Sequence, residues 1–162
     1  MEVILNPGDF HFGAAPERIG TLLGSCVAVT LWHPRRHIGG MCHILLPGRS
    51  RLPTQPLDGR YAGEAIELFR EKIASLGALP REFQAKLFGG GNMFAGTAAE
   101  GMELGARNVE AARAGLIHIG VPVLAEHIGG VGRRKLYLDL ATGDVWLSFP
   151  QGRDAQSKKA AA

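Results

Sequence analysis

A cysteine and a histidine stand on two neighbouring segments that both have the composition of β-strands. Cys26 opens the apolar segment 26–32, and His43 lies within a second segment, 38–46. A thiol with an ordinary pKa of ~8.5 is mostly protonated at neutral pH, and a nearby imidazole can take its proton and stabilise the thiolate. The same imidazole can return that proton to a leaving amine. If the two side chains meet, their types are those of a nucleophile and base for thiol hydrolase chemistry.

The turn between the two segments decides whether these side chains can meet. Residues 33–36, with Pro34 in second position, predict a four-residue type I turn. In the antiparallel register that follows, Cys26 stands directly opposite His43, with Cβ atoms ~5 Å apart on one face. Paired glycines at Gly39-Gly40 can form a bulge that breaks this register. The pairing is therefore a hypothesis about strand register.

Other readings of these residues stay open on composition alone. Cys26 also fits a small core residue, and His43 a core histidine with satisfied hydrogen bonds. Cys42 precedes His43 and points to the opposite face of the strand, which is typical of a packing thiol. A zinc site is not predicted, because the sequence has no C-x-x-C and alternation separates Cys42 from His43. Gly24-Ser25 leaves space for a substrate, and backbone N–H groups there can hold an oxyanion.

The remaining pattern predicts one α/β domain over 1–150 and a flexible tail over 151–162. One helix has Asp58 as its N-cap, apolar residues at helical spacing from 62 to 76, and Gly77 as its C-cap. A second helix spans 105–115. Strands are predicted at 3–5, 10–12, 26–32, 38–46, 84–88, 121–126, 136–140 and 145–149. The fold class is thus an α/β domain with mixed, mainly antiparallel strands and two principal helices.

Three further polar or glycine-rich motifs indicate no function by themselves. Gly89-Gly-Gly-Asn92 is interpreted as a loop of close backbone approach, because it lacks the spacing of a phosphate-binding loop. Arg107-Asn108 is interpreted as a solvated or capping pair on the second helix. Gly129-Gly130 and Gly132-Arg133 are interpreted as a loop before a strand.

The overall composition excludes several classes of protein. Hydrophobic residues make up 46% of the chain and charged residues 20%, with a net charge of +3, as in ordinary globular domains. The basic residues, among them Arg133-Arg134-Lys135, are too scattered to predict nucleic-acid binding. No apolar run reaches the ~18 residues of a membrane span, and the start lacks the pattern of a leader. A cytoplasmic protein with two free thiols and no membrane insertion is expected.

Two motifs resemble those of the CheD family of chemoreceptor glutamine deamidases. They are Leu22-Leu-Gly-Ser-Cys-Val-Ala-Val29 and Gly39-Gly-Met-Cys-His-Ile-Leu-Leu-Pro47, and the resemblance continues through 86–94, 105–109, 129–133 and 141–145. It implies an α/β sandwich related to the deamidating domain of cytotoxic necrotizing factor toxins. It also implies hydrolysis of receptor glutamines to glutamates, without a metal or organic cofactor.

The resemblance assigns roles to individual positions. The nucleophilic cysteine and the histidine of the family fall on Cys26 and His43. The family's third catalytic residue is a threonine, and an ungapped count places Gly20 there, with Thr21 one residue later. The third member is therefore expected to be Thr21 or a backbone group near Gly20. His127 occupies a position where an acidic residue is common in the family.

The same resemblance implies partners and leaves alternatives. The protein substrate would be the cytoplasmic domain of a chemoreceptor, and a phosphatase of the CheC type is a further expected partner. One alternative is a non-catalytic binding module that docks on receptors or on such a phosphatase. Another is a different thiol hydrolase, such as a receptor methylesterase or a small-molecule amidase.

Overall fold

The computed structural model describes residues 1–92, 99–150 and 157–160 of the chain. It contains two α-helices, α1 (Ala62–Ser75) and α2 (Ala99–Ile119), and a short 3₁₀ turn at Pro80–Glu82. The strands in chain order are β1 (Glu2–Leu5), β2 (Phe10–Ala14), β3 (Arg18–Leu23), β4 (Val27–His33), β5 (Ile38–Ile44), β6 (Gln84–Gly89), β7 (Val123–Ile128), β8 (Arg134–Asp139), β9 (Val145–Ser148) and β10 (Ser157–Ala160).

The strands form two five-stranded sheets. One, here called the outer sheet, has the order β1-β3-β8-β9-β10, and the other, the middle sheet, has the order β2-β5-β4-β6-β7. The pairs β1/β3 and β6/β7 are parallel and the other pairs are antiparallel. This architecture confirms the predicted α/β class with mixed, mainly antiparallel strands and two principal helices.

The middle sheet is covered on both faces. Successive strand residues point to opposite faces, so Val27, Val29 and Leu31 of β4 pack with the helices, where Phe69 lies. Ala28 points the other way and joins a second cluster with residues of the outer sheet. The layers are therefore helices, middle sheet and outer sheet, each joined to the next by an apolar core. Double burial explains why β4 and β5 are apolar on both faces.

The chain changes sheets immediately before Cys26. β3 belongs to the outer sheet and β4 to the middle sheet, and only residues 24–26 separate them. The sequence analysis predicted no strand at Arg18–Leu23. This strand pairs in parallel with β1 and antiparallel with β8, which lies more than a hundred residues further along the chain. Its stability therefore depends on distant partners rather than on local composition.

The turn between β4 and β5 corrects the predicted strand register. His33 pairs with Ile38, so the turn consists of residues 34–37, and His43 pairs with Ala28 instead of Cys26. His33 Nδ1 accepts the backbone N–H groups of Arg35 and Arg36, and His37 adopts a positive φ of 51° to close the turn. Gly39 and Gly40 pair without a bulge. The predicted register was wrong by two residues.

The helix boundaries also differ from those predicted. α1 begins after Tyr61 instead of Asp58. The Asp58 carboxylate binds the Arg60 side chain, and the backbone N–H of Asp58 donates to the Glu64 carboxylate, so Asp58 does not cap the helix. α2 is longer than predicted and runs from Ala99 to Ile119. Of the predicted tail over 151–162, the structure describes Ser157–Ala160, which pair with β9 as β10.

Candidate active site

Thr21 and His43 meet at one end of the space between the two sheets. Thr21 lies on β3 of the outer sheet and His43 on β5 of the middle sheet, and they are 3% and 2% exposed. Thr21 Oγ1 stands 2.8 Å from His43 Nδ1. Gly20, the other position considered for this role, lies on the outer face, where a Cβ would meet the Tyr137 ring. The contact to the imidazole therefore comes from the Thr21 side chain.

The hydrogen bonds of Thr21 fix the tautomer of His43. The Thr21 hydroxyl donates its single proton to the Leu5 carbonyl oxygen at 2.9 Å. Its oxygen must therefore accept a hydrogen bond from Nδ1–H of His43. Nε2 then carries a lone pair, and this buried atom has no hydrogen-bond partner among the described residues. The imidazole is thus oriented with its basic nitrogen free to accept a proton.

Cys26 lies at the crossover between the sheets and is half-buried. Its side chain packs against the core between the two sheets, the same face of the middle sheet that carries His43. Because His43 pairs with Ala28, Cys26 is its diagonal neighbour, and diagonal neighbours on one face are separated by ~7 Å. The corrected register therefore keeps the thiol and the imidazole on one face and moves them from opposed to diagonal positions.

Burial determines the resting protonation of this pair. It lowers the pKa of His43 to about 4, an effect partly offset by the negative charge of Asp9, and it raises the pKa of the Cys26 thiol. Both shifts favour the neutral forms. At neutral pH the pair therefore rests as a thiol and a neutral imidazole. Such a pair can transfer a proton when a substrate arrives.

The loop that carries Cys26 is held by its carbonyl groups. Gly91 N donates to the Gly24 oxygen at 3.2 Å, and Gly90 N donates to the Cys26 oxygen at 2.9 Å. The carbonyl of Ser25 accepts a hydrogen bond from Asn108 Nδ2 at 3.4 Å. The three glycines of the 89–91 loop thus provide the close approach that the sequence predicted.

Asn108 corrects the interpretation of Arg107-Asn108 as a solvated or capping pair. Arg107 is exposed, but Asn108 is fully buried on the inner face of α2. The sequence contains a signal that could have located it, because Asn108 lies one helical turn from both Gly105 and Ala112. A polar residue on the apolar stripe of a helix requires a partner inside the protein.

Arg134, one of the scattered basic residues of the chain, is also buried. It is 1% exposed, and its Nε donates to His127 Nδ1 at 3.0 Å and its Nη2 to the Gly129 oxygen at 2.6 Å. The guanidinium stacks on Phe149, and its Nη1 has no partner among the described residues. Burial lowers the pKa of Arg134 to about 10. His127 therefore serves here as an acceptor for Arg134.

Other kinds of site were sought in the described part of the chain. In residues 1–92, 99–150 and 157–160, no group of three His, Cys, Asp or Glu side chains is placed to hold a metal ion. Within the same ranges, no helix is long and apolar enough to cross a membrane. A cavity of about 340 Å³ lies between α2 and the 128–131 loop, and its described lining includes neither Cys26 nor His43.

Comparisons with known proteins agree on one family. The family profile for CheD chemotactic sensory transduction matches residues 45–149. The chain is 55% identical over 159 residues to a probable chemoreceptor glutamine deamidase CheD 3 of Dechloromonas aromatica, covering 98% of this chain and 94% of that protein. It is 47% identical over 148 residues to a probable chemoreceptor glutamine deamidase CheD of Pseudomonas savastanoi pv. phaseolicola, covering 90% and 83%.

A solved structure, the Bacillus licheniformis hypothetical protein YfiH, aligns with a TM-score of 0.48 and 17% identity over 73% of this chain and 49% of that one. The curated relatives are far more similar in sequence and match nearly the whole chain. The chain therefore belongs to the CheD family.

Proposed function

We propose that the protein is a protein-glutamine deamidase that converts selected glutamines of chemoreceptors to glutamates. Its curated relatives bear the name of that activity, at up to 55% identity over nearly the full length. The observation that carries the proposal is the hydrogen bond from His43 Nδ1–H to Thr21, which leaves Nε2 as the base on the face that holds Cys26. A thiol and an imidazole in this arrangement are the groups that amide hydrolysis through a thioester requires.

The reaction follows from this pair in two halves. His43 Nε2 takes the Cys26 proton, and the thiolate attacks the carbon of the glutamine carboxamide. The C–N bond then breaks, ammonia leaves with the proton from His43, and a thioester remains. Water, deprotonated by His43, attacks the thioester, and the C–S bond breaks to release glutamate and restore the thiol. Water is the only co-reactant, and no atom changes its oxidation state.

Thr21 is proposed to orient His43 instead of reacting itself. Its hydroxyl is anchored on the Leu5 carbonyl, so the Nδ1–H bond holds the imidazole ring in one orientation. A hydrogen bond at Nδ1 also stabilises the imidazolium that forms when Nε2 takes a proton. In this proposal Thr21 has the role that an aspartate has in other triads.

The loop at Gly24 and Ser25 is proposed to bind the oxyanion. The carbonyls of Gly24 and Ser25 accept hydrogen bonds from Gly91 and Asn108. In a planar trans peptide group the C=O and the N–H point in opposite directions. The N–H groups of Ser25 and Cys26 therefore point away from those partners, as an oxyanion site requires.

The proposed substrate places the protein in the cytoplasm, beside the cytoplasmic domains of chemoreceptors. Each event replaces a neutral side chain with a carboxylate and so changes charge pairing along the receptor. A CheC-type phosphatase is proposed as a further partner. The rival functions are a non-catalytic binding module and a receptor methylesterase, because a thiol–imidazole pair also cleaves esters.

The test is to incubate a receptor cytoplasmic fragment with the wild type and with Cys26→Ala, His43→Ala and Cys42→Ala. Conversion of glutamine to glutamate adds ~1 Da to a peptide and releases one ammonia, which mass spectrometry and an ammonia assay detect. The proposal is supported if the peptide mass increases with the wild type and with Cys42→Ala but not with Cys26→Ala or His43→Ala. Gain that persists in Cys26→Ala contradicts the assigned nucleophile.

A second arm separates the rival functions. A fragment that carries methylated glutamates is treated in parallel, and loss of the methyl group is followed on the same peptides. Demethylation without deamidation would favour the methylesterase. Binding of the fragment with neither reaction would favour the binding module.

A further inference from the structure

Asn108 connects helix α2 to both segments that carry the reacting side chains. It is fully buried, and its Nδ2 donates to the carbonyl oxygens of Ser25 at 3.4 Å and Leu45 at 3.0 Å. Ser25 immediately precedes Cys26, and Leu45 follows His43 by two residues. One amide group thus bonds to the main chain on both sides of the site.

The regular pairing of the two segments stops just short of the residues that Asn108 binds. Cys26 precedes the first residue of β4, and Leu45 follows the last residue of β5, so both lie beyond the regular pairing that ends at Val27 and Ile44. Leu45 N is bonded to the Arg60 oxygen, and the Cys26 carbonyl is bonded to Gly90 N. These bonds fix each segment to a different neighbour, whereas Asn108 joins the two segments to each other.

Stability alone does not explain an asparagine at this position. Its Oδ1 is buried and has no hydrogen-bond partner among the described residues. A buried polar group in that condition destabilises the folded state. The neighbouring inward positions Val109, Ala112 and Leu116 are apolar. An aliphatic side chain would therefore suit the packing, and the amide is explained by what its Nδ2 holds.

We infer that Asn108 is a positioning residue that sets the distance between the Cys26 thiol and the His43 imidazole. The inference rests on the proposed deamidase function. It acts through the main chain, because its side chain touches Ser25 and Leu45 and neither reacting group. A misplacement of ~1 Å between reacting groups lowers turnover ~100-fold, so loss of this one bridge should lower kcat measurably.

The test compares Asn108→Leu, which keeps the branched skeleton of the side chain and removes the amide, with Leu116→Val on the same face of α2. Asn108→Leu should lower kcat for deamidation ~10- to 100-fold with KM unchanged, and it should also lower Tm, because the Ser25 and Leu45 carbonyls lose their donor. Leu116→Val should lower Tm and leave kcat unchanged. Asn108→Gln retains a donor on a longer side chain and should recover part of kcat. If Asn108→Leu does not fold, Asn108→Ala, which removes the amide without adding bulk or charge, takes its place.

A substrate-free measurement separates this inference from the proposed function. Alkylation of Cys26 by iodoacetamide reports how well His43 assists the thiol, and at neutral pH its rate should fall severalfold in Asn108→Leu but not in Leu116→Val. An unchanged alkylation rate with unchanged kcat would overturn the inference, as would a parallel fall of kcat and Tm in both variants. Absence of deamidation in the wild type would overturn the proposed function. The alkylation rates of Asn108→Leu and the wild type would still test whether Asn108 positions Cys26 and His43.

Discussion

The two cysteines of the chain lie on opposite faces of the middle sheet, and their surroundings differ completely. Cys42 on β5 is fully buried against the helices, and burial raises its pKa to about 12. Cys26, at the entrance to β4, is half-buried on the other face, which also carries His43. Composition alone does not separate these two thiols. Their difference comes from which face each occupies and where its strand ends.

The two cysteines differ in their position relative to the ends of the paired strands β4 and β5. Within β4 and β5 both faces of the sheet are sealed by packed layers. Beyond the last paired residues the main chain is no longer held in the sheet, and a thiol there can reach a substrate while a base stays buried behind it. The proposed reaction is thus located where regular pairing stops.

The largest effect is expected when the half-buried thiol of Cys26 is removed. Cys26→Ser keeps the size of the side chain but replaces the thiolate nucleophile with a weak alcohol. We expect kcat for glutamine deamidation to fall ~10⁴-fold or more, since loss of a catalytic nucleophile has effects of that order. Turnover by Cys26→Ser within tenfold of wild type, measured by ammonia release, would contradict the distinction between the two cysteines.

A second test concerns the buried base behind Cys26. The folded pKa of His43 is about 4, below the ordinary 6.5 of the unfolded chain, so the unfolded state alone takes up a proton between these values. Stability is therefore fully present above pH 6.5 and is lost as the pH falls toward 4, by ~2–3 kcal/mol for this group. Urea unfolding of the wild type and of His43→Gln at about pH 7 and pH 4.5 measures this loss of stability. An equal acid loss in both proteins would refute this assignment.

A third test removes the hydroxyl that orients the base. Thr21→Val keeps the shape but deprives His43 Nδ1 of its acceptor, so the tautomer and orientation of the imidazole are no longer fixed. We expect kcat to fall ~10- to 30-fold, less than for loss of the nucleophile, because the imidazole itself remains. Thr21→Ser should retain most activity. If Thr21→Val and Thr21→Ser lose activity equally, the hydroxyl is not the orienting group.

The smallest effect is expected at the other thiol. Cys42→Ala removes one sulfur atom from the helix-side core, and the free energy of unfolding should fall by ~1 kcal/mol because a small cavity remains. Activity should stay within about twofold of wild type, since the change is on the face away from the site. Denaturant unfolding and a deamidation assay measure the two quantities. A large loss of turnover without a loss of stability would give Cys42 a role that its burial does not predict.

The sequence named the candidate residues Cys26, His43 and Thr21 but did not predict their geometry. The predicted register was wrong by two residues, because His33 caps a turn that begins after it. An error of two keeps every side chain on its face, so Cys26 and His43 still share one. The contact of Thr21 with His43 could not be predicted, because Thr21 lies on β3 and the β3 partner strand β8 lies far along the chain.

The polar residues around the site were the least predictable part. Asn108 was predicted to be solvated or capping, Arg134 was noted only as one of several scattered basic residues, and both are almost completely buried. Sequence patterns treat a polar residue as exposed by default, and the partners that make its burial tolerable come from other parts of the chain. For Asn108 these partners are the main-chain carbonyls of Ser25 and Leu45.

The contact between Thr21 and His43 is also a contact between the two sheets. The hydroxyl belongs to the outer layer, the imidazole belongs to the middle layer, and Cys26 lies on the short strap of chain that joins them. Under the proposed mechanism, turnover therefore depends on the alignment of the two layers. A force or ligand that shifted one sheet relative to the other by ~1 Å would lower turnover ~100-fold while leaving each sheet intact.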